Sequence, residues 1–126
     1  MIPTPGVKAL ADAISKAEGF GIPGAVPTRA HNPGNLKIPG WTGPKTGTEG
    51  ISVFATDEEG WTHLYQQLMR IVNGASHVYT LDTTLQEFGD KWTDTQQGPW
   101  IKNVIADLQA QGHAVDESST LREVLT

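Results

Sequence analysis

The sequence predicts a mainly α (α+β) fold with a small β-hairpin and loop insertion after the first helix. Three observations carry that expectation. Apolar residues recur at helical spacing in several separate segments. Capping signatures, a Thr followed by proline or by glutamate three residues on, stand at the heads of those segments. Glycine and proline gather in residues 21–50, which a helix cannot accommodate.

The first segment opens on Thr4-Pro5, an N-cap followed by proline in the first turn. Val7, Leu10, Ala11 and Ile14 continue it at helical spacing, and the same stripe lands on Glu18 before Gly19 and Gly21 stop it. The stretch 21–50, "GIPGAVPTRAHNPGNLKIPGWTGPKTGTEG", is too irregular for a helix and too rich in Trp, Leu and Ile for a tail. It reads as ordered loops and a small hairpin, with "NLKI" and "ISVFA" as the short strands. "TDEE" at 56–59 is a capping box, Thr56 with Glu59, which also accounts for Asp57 and Glu58 as first-turn acids. Trp61, Leu64, Tyr65, Leu68, Ile71 and Val72 form the stripe that follows, ended by Asn73-Gly74. Thr84 and Glu87 repeat the box, with Leu85 and Phe88 facing inward. "GPWIKNVIADLQAQG" opens with Pro99, closes at Gly112 and presents Trp100, Ile101, Val104, Ile105 and Leu108. "STLREVLT" forms a last short helix. No internal repeat or linker interrupts the chain, so residues 1–126 read as one domain.

Composition narrows the function classes. Hydrophobic residues at 37% and charged residues at 18% are ordinary for a globular chain, and no leader peptide or membrane-length apolar run is visible. Cysteine is absent, which removes disulfides and thiolate metal sites. The formal charge of −5 argues against nucleic acid as a main partner. His31, His63, His77 and His113 show no metal-ligand spacing, no serine lies in a G-x-S-x-G context, and no glycine-rich phosphate loop follows a strand. No metal and no cofactor are therefore expected.

Glu18 is the residue that asks for an explanation. A carboxylate on the apolar stripe of a helix is costly to bury ionised. Desolvation and the partial negative charge of a helix C-terminus both favour its protonated form, the form a general acid needs. The alternative from periodicity alone is a frayed helix end facing water.

The run "AEGFGIPGAVPTRAHNPGNLK" followed by "ISVFATDEEGWTHLYQQL" resembles the lysozyme-like superfamily of peptidoglycan-cleaving enzymes, among them bacterial and phage lytic transglycosylases, goose-type lysozymes and glucosaminidases. "TLQEFGDKW...PWIKNV" is similar to the tail of the same family, and the likeness spans about residues 7–110. The chain departs from the family pattern in His31, where asparagine is common, and in Trp92, where "KY" is usual. The resemblance implies a lysozyme-like helical domain that cleaves β-1,4 bonds in peptidoglycan, with Glu18 as catalytic acid. It also implies Glu49, the acid nearest the hairpin strand, as a second catalytic group; the other reading of Glu49 is a solvated turn residue, in which case one acid suffices for a lytic transglycosylase. The alternatives are a chitinase or glucosaminidase of the same fold, and a non-catalytic virion or wall-binding protein. The expected partner is peptidoglycan or a chitin-like glycan, bound by a monomer, with no nucleic acid and no membrane insertion. The route to the wall, whether export or phage delivery, is open.

Four more positions are candidates for substrate binding beside Asn35. "HNPGN" is first a turn signature, with Asn32 and Asn35 holding the loop against the cleft through their amides. Trp41 and Trp92 read as loop tryptophans whose faces can stack on sugar rings, and Tyr79 in "HVYTLD" is a third such ring. Trp61 and Trp100 read as core. Asp90 and Asp94 flank Trp92, as solvated residues or, for Asp94, as a cap on the next segment.

Overall fold

Thr4 caps the first helix by accepting the Val7 N–H at 3.0 Å, and the apolar face that follows is fully enclosed. The computed structural model describes residues 2–46, 50–94 and 96–126. Among these, helix α1 spans Pro5–Glu18, α2 Val26–Arg29, α3 Asp57–Val72, α4 Leu85–Trp92, α5 Gln97–Ala110 and α6 Leu121–Leu125. Strands β1 (Lys45–Thr46) and β2 (Ile51–Ser52) pair antiparallel, with Lys45 opposite Ser52 and Thr46 opposite Ile51. The α-rich architecture with a small β insertion is as the sequence predicts. No helix among the described residues is long and apolar enough to cross a membrane.

Helix α1 lies at the centre and packs against α5, α6 and α3, while α4 packs against α5. Val7, Leu10, Ala11 and Ile14 meet Leu64 and Leu68 of α3 and the Trp100–Leu108 face of α5 in one apolar core. Burial of this kind is the dominant favourable term in folding. Thr84 closes a full capping box, at Thr120 the Glu123 carboxylate accepts the Thr120 N–H at 2.7 Å, and the two caps bridge: Leu85 N–H donates to Ser119 O and Leu121 N–H to Thr83 O, both at 2.8 Å. The box at Thr56 is shifted. Thr56 Oγ1 accepts the Glu59 N–H at 3.1 Å, but the Glu59 carboxylate accepts from Ala55 N–H at 3.2 Å.

Four expectations need correction. "NLKI" is not a strand; Leu36 O instead accepts the Ser52 N–H at 3.0 Å, so the segment lies beside β2 without forming a ladder. The 21–50 stretch contains a helix, α2, whose four residues are too few to show periodicity. Helix α5 begins at Gln97, two residues before Pro99, because proline is tolerated anywhere in a first turn. Trp92 is the last residue of α4, not a loop residue.

One close approach fixes the loop against α3. A Cβ on Gly60 would stand 1.9 Å from the His31 carbonyl oxygen and 2.9 Å from Pro33 Cδ, so the helix meets the "HNPGN" turn at backbone contact distance.

Candidate functional site

The end of α1 is set by backbone chemistry. Gly19 takes the left-handed conformation at φ 87°, its N–H donates to Lys16 O at 3.2 Å, and the Phe20 N–H donates to Ser15 O at 2.9 Å. These two bonds are a Schellman motif, which closes the helix and turns the chain away just past Glu18. Phe20 then packs edge-on against Trp61 of α3 at 5.6 Å. Glu18 is left half-buried.

The "HNPGN" turn supplies the facing wall. Asn32 is 0% exposed. Its Nδ2 donates to Leu36 O and to Ser52 O, and its Oδ1 accepts the Leu36 N–H, each at 2.9 Å. Ser52 Oγ in turn accepts the Ile38 N–H at 3.0 Å. Asn32 thus ties the turn to β2 and has no amide atom left for a ligand. Removing three buried bonds strands their partners, and each stranded group costs ~1–3 kcal/mol. Asn32→Ala is expected to lower the unfolding free energy by at least ~2 kcal/mol, measured by urea denaturation. A loss below ~1 kcal/mol would show that the turn does not depend on this clamp.

Asn35, three residues on, sits at φ 52° with Oδ1 buried and unpartnered among the described residues. With Lys37 it borders two adjoining recesses. The smaller, about 40 Å³, is lined by Glu18, Asn35, Lys37, Ile51, Trp92, Thr93 and Asp94. It has room for a bridging oxygen or a few waters, not a pyranose ring. The larger, about 270 Å³, shares Asn35, Lys37, Trp92 and Asp94 and adds Gly34, Leu36, Gln67, Tyr79 and Lys91. That approaches the ~300 Å³ lower end of small-molecule sites. Lys37 Nζ donates to Asp94 Oδ2 at 3.2 Å, joining the turn to the segment after α4. Asp94 therefore does not cap α5, whose N-cap is Gln96. Asp90 accepts from Gln86 Nε2 at 3.1 Å on the surface of α4.

An aromatic stack forms the wall of the larger recess. Phe88 is enclosed beneath Tyr79 at 4.9 Å and Trp92 at 5.1 Å, and Tyr79 and Trp92 stand 6.3 Å apart. Burial pushes the Tyr79 phenol up from 10.0 to about 12. The unfolded chain therefore loses this proton first. Stability from the neutral phenol is complete below pH 10 and falls as pH rises through the folded value near 12. Burial, and the charge of Asp12, also raise Tyr65, but Tyr79 is expected to be the later of the two tyrosines to ionise in an ultraviolet titration, and Tyr79→Phe to remove that later step. Loss of the earlier step instead would contradict the buried placement.

Of the positions singled out in the sequence, Glu18, Asn35, Trp92 and Tyr79 border the paired recesses. Trp41 borders neither: its indole N–H donates to Pro44 O at 2.9 Å and its ring packs edge-on to Phe54 and His63. Glu49 lies outside the described residues. Lys37, Gln67, Lys91 and Thr93 were not anticipated; the adjacency of Lys37 to the "NPGN" turn was the one available signal. Trp61, expected in the core, is half-buried at its edge, whereas Trp100 is buried. His31 Nδ1 lies 2.7 Å from Asp57 Oδ1, tying the turn to the first turn of α3. Comparison of the chain with protein-family models, with curated proteins and with solved structures finds no match, so the functional argument rests on the geometry of this site.

Proposed function

We propose that the chain cleaves β-1,4 glycosidic bonds of peptidoglycan on a lysozyme-like scaffold, as a lytic transglycosylase or muramidase, with Glu18 as general acid/base. One observation carries the reading. A carboxylate at the end of a central helix opens into a small recess, and that recess adjoins a larger one walled by Trp92 and Tyr79. The small recess suits a glycosidic oxygen, and the larger one suits a sugar ring against aromatic faces. Asn35 and the Lys37–Asp94 pair supply polar groups at the boundary.

In this mechanism Glu18 gives its proton to the bridging oxygen as the C1–O bond breaks. The carboxylate so formed then takes a proton from the group that attacks C1. If that group is the 6-hydroxyl of the same sugar, the product carries an anhydro end. If it is water, the product carries a reducing end, and a second catalytic group is the usual requirement. Glu49 is the residue proposed for that second role.

Digestion of purified peptidoglycan, and of chitin in parallel, with mass analysis of the products tests the proposal. Anhydro ends identify a transglycosylase and reducing ends a muramidase. Products from chitin alone would move the substrate to the chitin-like class. Absence of products from both would leave a wall-binding protein and overturn the catalytic reading.

A further inference from the structure

We propose that the glycan groove continues past Gln67 onto the polar face of α3 and holds there, at Arg70, a subsite for a carboxylate on a peptide branch of the glycan. This rests on the glycan-cleaving reading above and extends it to the part of the substrate that chitin lacks. Gln67 borders both the Trp92 recess and a further recess of about 430 Å³. The further recess has Ile38 and Met69 as its apolar part, with His63, Gln66, Arg70 and Asn73 as polar groups. Among the described residues its lining holds no aspartate or glutamate, although the chain carries fourteen acidic residues against nine basic ones. Among the described lining residues the local sign is therefore opposite to that of the whole molecule, which favours an anion there.

Arg70 is oriented for such a role. Its Nη2 donates to Ala75 O at 3.1 Å, which leaves the remaining N–H groups of the guanidinium for another acceptor. Among the described residues no carboxylate pairs with it, in contrast to Arg122, which holds Asp82 at 2.9 Å. The side-chain amides of Gln66, Gln67 and Asn73 both donate and accept, which suits the alternating N–H and C=O of a peptide.

Binding to short peptidoglycan fragments tests the subsite. The fragments are used in three forms: with peptide branches intact, with the branch carboxylates capped as methyl amides, and with the branches removed. Both proteins compared carry Glu18→Gln to stop turnover, and one also carries Arg70→Gln. Arg70 is exposed and the pair would be screened by water, so Arg70→Gln is expected to weaken the intact fragment by about 2- to 5-fold. It should leave the capped and stripped fragments unchanged, and Arg70→Lys should restore part of the affinity. Equal affinity of both proteins for the intact fragment overturns the subsite while leaving the glycan reading in place. Equal weakening of all three fragments also overturns it, since the effect would then not depend on the carboxylate. Binding of no fragment by either protein overturns the subsite and the glycan reading together.

Discussion

In the proposed mechanism, Glu18→Gln is expected to lower peptidoglycan turnover by ~10²–10⁴-fold while leaving the fold intact, because it removes the transferable proton. The side chain keeps its length and shape. The features that end α1 are backbone bonds from Gly19 and Phe20, which do not involve the residue 18 side chain. The apolar anchors of the helix, from Val7 to Ile14, are untouched. Turnover is measured on purified peptidoglycan, and the thermal midpoint by circular dichroism. A mutant with wild-type turnover would remove Glu18 from the mechanism. A mutant that is inactive and also unfolded would assign the residue to the fold instead.

Phe88→Ala is expected to be the most damaging single change to stability, at ~3–5 kcal/mol. The ring is 0% exposed and supports three others: Tyr79, Trp92 and Trp100, the last at 6.1 Å. Truncation leaves a void that the three remaining rings cannot close without moving, and the midpoint should fall by on the order of 10–20 °C. The change should also weaken glycan binding, since Tyr79 and Trp92 form the wall of the larger recess. Trp41→Ala is the contrast, a half-exposed ring bordering neither recess, with a smaller expected loss. Chemical denaturation of both variants decides the matter. A loss at Phe88 below that at Trp41 would mean that the stack is not the structural centre of the wall.

The helices were legible because their signals are local. Val7, Leu10 and Ile14 sit on one face by spacing alone, and Thr84 with Glu87 announces a helix start within four residues. Trp92 reads as a loop residue because "GDK" interrupts the pattern, although Leu85, Phe88 and Trp92 keep helical spacing across it. The walls of the cleft were less legible. The Lys37–Asp94 pair joins residues 57 apart in sequence, and no periodicity encodes that contact. Asn32 was readable as a turn residue, but its bond to Ser52 depends on where the hairpin lands. The false strand "NLKI" has the same origin: an apolar run beside β2 looks like a strand until the partner's position is known.

Gly60 constrains how far relatives of this chain can diverge. The clearance between α3 and the His31 carbonyl admits no side chain, so the seat of the turn on α3 is set at a position that has no chemistry of its own. Drift can rewrite the surface of the 21–50 stretch, exchange aromatic residues along the wall and alter every exposed charge without disturbing that clearance. It cannot place a larger residue at position 60 and keep the turn where Asn32 holds it. A distant cousin of this chain would then be unrecognisable along most of its length, yet keep a buried asparagine in the turn after its first helix and a glycine one turn into the next long helix. Kinship would be written in those two isolated letters and their order.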